Sequence, residues 1–229
     1  MLNRQCSQII AAGREQGWLT EPAAKRLLDH YGVPVPDFRV AANPAEALAA
    51  ARAVGYPVAA KVVSAQIVHK TEVNGVVLGL ADGDAVMAVF ERFAALPRFE
   101  GMLIEPMVSG VELIIGAKND EQFGPVILLG IGGTGVELCG DTAIRMAPLT
   151  DRDIPAMVKR LKGRQVIEGF RGQPGVDMVS LTQIMRAFSQ LAMDMAEAFE
   201  SIDLNPVMCA SEGCVVADAR VMLRGFAPE

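Results

Sequence analysis

Lys61 is the only charged residue in the run Val58–Ser64, Val-Ala-Ala-Lys-Val-Val-Ser. The run follows Gly55 and Pro57 and is made of small and β-branched residues, so it predicts a strand. Side chains alternate across a strand, which puts Ala59, Lys61 and Val63 on one face. An ammonium in such a setting is costly to bury unless something negative meets it. The same residue on an edge strand would let its stem snorkel to water. Eight positions on comes His69, followed by Lys70 and Thr71, and then Asn74-Gly75, a reversal before the apolar run Val76-Val77-Leu78. A fixed cation, a titratable ring nitrogen and a glycine turn in one short stretch suit the handling of phosphate. Taken singly, His69 also fits an ordinary exposed loop histidine.

Three further stretches carry chemical potential. If the last hairpin turns at Ser211-Glu212, Asn205 lies opposite Asp218 and Asp203 opposite Arg220. An amide oxygen and a carboxylate then share a face. Magnesium takes oxygen ligands while keeping waters and substrate phosphates, so two protein ligands fit nucleotide-bound magnesium better than a metal cage. A polar surface hairpin would satisfy the same spacing. The segment Glu105-Pro106-Met107-Val108-Ser109-Gly110-Val111-Glu112 could read adenine through backbone groups of an extended hinge, with a carboxylate further on for ribose hydroxyls; it also fits a plain strand connection. The run Gly130-Ile131-Gly132-Gly133-Thr134-Gly135 lacks the Gly-Lys-Ser/Thr of a P-loop. It suits either backbone approach to a phosphate or a structural turn.

The elements that must position these residues follow in order. Residues 5–17 predict a helix. Thr20 caps a second, with Glu21 and Pro22 in its first turn, and Gly32 closes it. His30, in its last turn, complements the helix dipole. Asn43-Pro44-Ala45-Glu46 begins a third, with Glu46 set for a capping box, and Gly55 ends it. Residues 84–95 place Val86, Val89, Phe90 and Phe93 on one helical face. Strands are expected at Met102–Val108, Val111–Ala117 and Val126–Leu129. Thr150 caps a helix reaching Lys162, residues 165–177 read as a loop stabilised by an Arg171–Asp177 pair, and 179–199 is the longest helix. Strands at 201–205, 214–218 and 221–223 close the chain. Strands and helices mix without strict alternation, so two α/β lobes fit better than one doubly wound sheet, with the seam near Met107–Gly110.

The chain has 229 residues, 51% of them hydrophobic and 21% charged, enough for a packed core and too apolar for disorder. A formal net charge of -6 argues against a nucleic-acid partner. Cys6, Cys139, Cys209 and Cys214 show no CxxC spacing, and with only two histidines a zinc site is not expected. They read as reduced thiols of a cytoplasmic protein. No signal peptide and no run of about 20 apolar residues is present, so no membrane span is expected.

Read together, the motifs resemble a known family. Leu19-Thr20-Glu21, Ala24-Lys25, Leu27-Leu28 and Tyr31-Gly32-Val33-Pro34 are similar to the start of the ATP-grasp subunit of ADP-forming acyl-CoA synthetases, relatives of succinyl-CoA synthetase. Gly55-Tyr56-Pro57-Val58-Ala59 with Lys61-Val62 continues the likeness. His69-Lys70-Thr71-Glu72-Val73-Asn74-Gly75-Val76 resembles the family's His-Lys-Ser-Asp-Val-Gly-Gly-Val signature. Phe123-Gly124-Pro125, Gly132-Gly133 with Val136-Glu137, Arg145 with Pro148-Leu149, Arg171-Gly172-Gln173-Pro174, Asp203-Leu204-Asn205-Pro206 and Asp218-Ala219-Arg220 follow in order.

The resemblance implies an ATP-grasp fold of mixed α/β (α+β) character, two lobes clamping a nucleotide. Residues 1–19 would be an N-terminal helix packing on the second lobe, 20–108 the first lobe and 109–229 the second. By that likeness Lys61 would hold nucleotide phosphates, Glu105 and Val108 would border adenine, and Glu112 would meet the ribose. Asn205 and Asp218 would bind magnesium, and His69 would relay a phosphoryl group to ADP. ATP or ADP and magnesium are the implied cofactors, with CoA bound mainly by an alpha subunit that carries the CoA-binding and ligase domains. The expected assembly is a hetero-oligomer acting on an acyl-CoA or its acid. Asn74 departs from the family glycine, which is expected to stiffen the His69 loop. No CoA-binding domain is recognised in the chain. Two rival readings are a stand-alone ATP-grasp carboxylate–amine ligase and a non-catalytic nucleotide-binding module.

Overall fold

A computed structural model describes residues 2–133 and 140–225. Its elements are α1 (Arg4–Gly13), β1 (Trp18–Leu19), α2 (Glu21–His30), β2 (Arg39–Ala41), α3 (Pro44–Val54), β3 (Val58–Ser64), a single 3-10 turn (Lys70–Val73), β4 (Val76–Leu80) and α4 (Gly83–Ala94). Then come β5 (Phe99–Pro106), β6 (Val111–Asp120), β7 (Gly124–Ile131), β8 (Thr142–Met146), α5 (Asp153–Arg160), α6 (Gln165–Glu168), α7 (Met178–Asp194), β9 (Phe199–Ala210), β10 (Gly213–Val216) and β11 (Ala219–Leu223). The chain divides into two compact units, one formed by Met1–Val35 with Ser109–Glu229 and the other by Pro36–Val108. Residues 20–35, expected with the first lobe, therefore group with the second, because α2 packs on β11.

The Pro36–Val108 unit holds a four-stranded sheet in the order β2-β5-β3-β4, antiparallel at each pairing. Local chemistry sets its helices. The Asn43 side chain accepts from the Glu46 N–H at 3.0 Å, satisfying one orphan donor of α3, and the Glu46 carboxylate accepts from the Ala42 N–H, just before the cap, at 2.8 Å. Asp82 does the same for α4 through the Ala85 N–H at 2.9 Å. The apolar stripe Val86, Val89, Phe90 and Phe93 is buried against Val58, Ala60, Val62, Met102 and Ile104 of the sheet.

The larger unit holds a seven-stranded sheet in the order β1-β11-β9-β6-β7-β8, with β10 paired to β9. Leu181, Ile184, Met185, Phe188 and Leu191 of α7 are fully or almost fully buried in the same core as Leu113, Ile115, Ile127 and Leu129 of β6 and β7. One face of the sheet is thereby covered. On β8, Ile144 and Met146 remain 54% and 58% exposed while Ala143 is buried. Asp141 fixes the approach to α6, accepting from the Lys162 and Gly163 N–H groups at 2.8 Å each. No helix among the described residues is long and apolar enough to cross a membrane.

Several expectations are corrected. The first helix stops at Gly13, short of 17, and the last long helix stops at Asp194, where 199 was expected. Phe199 opens β9 instead, where its side chain is fully buried. Thr150 is not the N-cap residue of the next helix: α5 begins at Asp153 and ends at Arg160, short of 162, and the Thr150 N–H and hydroxyl donate to the Asp153 carboxylate. Asp177 does not pair with Arg171. It caps α7 by accepting from the Val179 and Ser180 N–H groups, and Arg171 lies 5.1 Å from the Phe170 ring centroid. Cys209 and Cys214 are not separate thiols. They sit directly opposite each other in β9 and β10, 4.1 Å apart at Cα, and are joined as a disulfide, while Cys6 is free and buried.

Candidate functional site

The predicted site residues divide between the two units. Lys61, His69, Glu105 and Val108 belong to the smaller, Glu112, Asn205 and Asp218 to the larger.

In the smaller unit Lys61 lies on β3, which is flanked by β5 and β4 and so is not an edge strand. Its side chain is 5% exposed, and no snorkelling stem is seen. The negative group that a buried ammonium requires is Glu105 of β5, whose Oε1 stands 2.8 Å from the Lys61 Nζ and whose side chain is 2% exposed. Register explains the meeting: Ala59 pairs with Glu105 and Lys61 with Leu103, so the two charges are diagonal neighbours on one face. A carboxylate in this position holds the ammonium in place as a preformed cation. The side chain of Glu105, a residue expected to border adenine, faces Lys61. Val108 is half-buried at the end of this unit.

His69 lies beyond β3, exposed, immediately before the Lys70–Val73 turn. Ile67 is 9% exposed and roots the start of this segment in the core. Asn74 ends the turn in the left-handed region, with φ 51 and ψ 35. Asparagine tolerates that conformation better than most residues, which is why it can stand there. Gly75 cannot be replaced so easily: a Cβ on it would lie 2.5 Å from a Val62 methyl and 2.9 Å from the Lys70 carbonyl oxygen.

In the larger unit the hairpin register is the expected one. Arg220 pairs with Asp203, Cys214 with Cys209, and the Asn205 N–H donates to the Asp218 carbonyl at 3.2 Å. Buried positions along β9 run 202, 204, then 207 and 209. The interval of three marks a bulge at Asn205-Pro206, and the register against β6 shifts there too. Asn205, which is exposed, and Asp218, which is half-buried, flank the buried Leu204 and Ala219 and so lie on the opposite face of the sheet. An amide oxygen and a carboxylate are thus side by side, as hard cations require, and the donor set fits magnesium carried by a nucleotide. No group of three or more potential metal-ligating side chains occurs among the described residues. Asp203 is held by Arg220, which donates from Nε at 3.2 Å and Nη2 at 2.9 Å.

Glu112, exposed on β6, meets a neighbour that spacing alone did not suggest. The Gly132 N–H donates to its carbonyl at 2.7 Å, and a Cβ on Gly132 would press on the Glu112 backbone at 3.1 Å. Gly133, with φ +93, has the Glu112 Oε2 3.6 Å from where its Cβ would be. The described part of the glycine-rich run therefore folds directly against the proposed ribose ligand. Thr134, Gly135, Val136, Glu137 and Cys139 lie outside the described residues.

Comparison with known proteins identifies the family. The family model of the ATP-grasp domain matches residues 10–223. The beta subunit of acetate–CoA ligase [ADP-forming] I from Pyrococcus furiosus is 35% identical over 223 residues, covering 94% of this chain and 96% of the relative. Acetate–CoA ligase [ADP-forming] I from Archaeoglobus fulgidus is 39% identical over 204 residues, covering 86% of this chain. The chain spans 30% of the length of that relative and of its Archaeoglobus paralogue II. Among solved structures, the dinucleotide forming acetyl-coenzyme A synthetase 1 of Ca. Korarchaeum cryptofilum with coenzyme A, Ca-AMPCP and HgCl+ gives a TM-score of 0.88 at 35% identity, covering 95% of this chain and 99% of that one. The same synthetase with coenzyme A and Mg-AMPPCP, its phosphohistidine segment pointing towards the nucleotide binding site, gives 0.84 at 34% identity, covering 96% of this chain and 100% of that one. This chain belongs to the ATP-grasp family. Its high-coverage relatives within that family are beta subunits of ADP-forming acetate–CoA ligases.

Proposed function

We propose that this chain is the cytoplasmic nucleotide-binding subunit of an ADP-forming acyl-CoA synthetase, which interconverts acyl-CoA, ADP and phosphate with free acid, CoA and ATP. The observation that carries the reading is the pairing of Lys61 with Glu105 in the smaller unit, which fixes a buried cation on the strand that leads into the exposed His69. A nucleotide-binding module would need the first and not the second. A carboxylate–amine ligase would need no histidine at all.

In this reading the His69 ring nitrogen takes a phosphoryl group, forming an N–P bond as the bond to the donor oxygen breaks. An oxygen of the ADP β-phosphate then forms the new P–O bond as the N–P bond breaks, giving ATP and returning the imidazole. Lys61 holds nucleotide phosphates throughout, and Glu105 keeps it positioned. Glu105 and Val108 border adenine through their backbone, and Glu112 accepts from the ribose hydroxyls. Asn205 and Asp218 hold magnesium, which neutralises phosphate charge when bound. CoA and the acyl group belong to a partner alpha subunit, so the working enzyme is a hetero-oligomer.

The test is reconstitution. Purified chain mixed with its CoA-binding partner is expected to form ATP from acyl-CoA, ADP and phosphate, and His69→Ala is expected to abolish both turnover and acid-labile phosphorylation. A His69→Ala complex with full turnover would end the relay reading.

A further inference from the structure

The segment that carries His69 is tied down at both of its roots, and both ties reach α4 or the turn that follows it. At the departing end, Ser64 is 3% exposed, and its hydroxyl donates to the Pro97 carbonyl at 2.8 Å. The same oxygen accepts from the Gln66 N–H at 3.1 Å. At the returning end, the Gly75 N–H donates to the Lys70 carbonyl at 2.6 Å, and the Val62 N–H donates to the Gly75 carbonyl at 2.8 Å. Asn74 has a left-handed backbone, and the Arg92 Nη2 of α4 donates to its carbonyl at 3.0 Å. The guanidinium carbon lies 5.2 Å from the ring centroid of Phe93, which is itself fully buried. The two roots differ in kind. Ser64 is sealed in the core, whereas Arg92 is exposed.

We propose that Arg92 is a positioning residue for phosphoryl transfer at His69: it latches the Asn74 end of the His69 segment to α4, while Ser64 is the permanent anchor at the other end. The inference rests on the relay reading. A side chain that must meet a phosphoryl group at bonding distance gains from a segment with few accessible orientations. A charge-assisted hydrogen bond to one carbonyl is strong enough to bias the segment and weak enough to break within a catalytic cycle. The asparagine at 74 serves the same end, since it holds the left-handed turn with fewer alternatives than glycine.

The chain provides two readouts. Lys70 lies inside the latched segment, so trypsin cleavage after Lys70, followed by mass spectrometry, reports segment opening without any need for activity. Arg92→Ala is expected to raise that cleavage rate about fivefold, the effect of losing one such bond. It is also expected to slow His69 phosphorylation by saturating magnesium–ATP about fivefold, with the half-saturating ATP concentration unchanged. Arg92→Lys, which keeps a donor cation, is expected to restore most of both. The proposal is overturned if Arg92→Ala is cut and phosphorylated at wild-type rates, or if cleavage rises while phosphorylation does not slow. Wild-type chain that takes no phosphate at His69 overturns the relay reading and this proposal together, a result distinct from labelled wild type with an unaffected variant.

Discussion

Replacing Lys61 or Glu105 alone should damage the smaller unit far more than replacing both. Lys61→Ala leaves the Glu105 carboxylate 2% exposed with its cation gone, and Glu105→Ala leaves the Lys61 ammonium in the same position. Removing one member of a buried pair costs about 3–5 kcal/mol, because the remaining charge is desolvated and uncompensated. Against a typical total of about 5–15 kcal/mol, either single change is severe. The double variant Lys61→Met/Glu105→Leu fills nearly the same volume with apolar atoms between Leu103, Ala59 and Val63. It should be more stable than either single variant, by about 2 kcal/mol or more. Urea unfolding followed by far-UV circular dichroism gives the four corners of the cycle. Calorimetric titration with magnesium–ATP then separates stability from function: the double variant should fold and yet bind nucleotide poorly. If the double variant loses as much stability as the two single variants combined, the charges are not coupled. If it binds magnesium–ATP like wild type, Lys61 is not a phosphate ligand.

Other consequences are as direct. Asn205→Ala and Asp218→Ala should each weaken magnesium-dependent nucleotide binding about tenfold; calorimetry with and without magnesium checks this. Gly110→Ala should destabilise the chain by about 1–3 kcal/mol in urea unfolding, because Gly110 has φ +147 and the new Cβ would lie 2.5 Å from the Cys209 carbonyl oxygen. Hydrogen bonds from the Thr150 hydroxyl and N–H hold the Asp153 carboxyl below its usual range. A depressed folded value means that the stabilisation is complete above the unfolded pKa of about 3.9 and is lost as pH falls through the folded one. The stability gap between wild type and Asp153→Asn should therefore close as urea unfolding is repeated at pH values below that point.

Much of this architecture can be read from local chemistry. Asn43, Glu46 and Gly55 bracket α3 because cap bonds involve neighbours a few residues apart, and such bonds form whatever the rest of the chain does. The hairpin register followed from one turn at Ser211-Glu212, and it brought Asn205 beside Asp218. That same register places Cys209 opposite Cys214, so the disulfide was legible there; a search for CxxC spacing missed it because cross-strand partners obey a sum of positions and not a difference. The ion pair of Lys61 with Glu105 was half visible. A lone charge on an apolar strand demands a partner, yet which strand supplies it depends on a sheet order that no local pattern encodes. Strand β8 went unassigned, since Thr142–Met146 is five residues long and joins the sheet only at its margin. The meeting of Glu112 with Gly132 depends on β6 and β7 pairing across a hairpin, again information held in the tertiary structure.

Leu19 pairs with Val221, so the first strand of the larger unit cannot join its sheet until β11 has been made, about 200 residues later. On a ribosome adding about 5–20 residues per second, that wait is about 10–40 seconds. Leu27 and Leu28, which end fully sheltered, spend that interval without their final partners. The inserted unit, 36–108, contains all of its own strands and can close long before. Newly made chains should therefore pass through a stage with one finished module and one open one, and a chain cut short before β11 would leave a greasy N-terminal helix for chaperones or proteases to find.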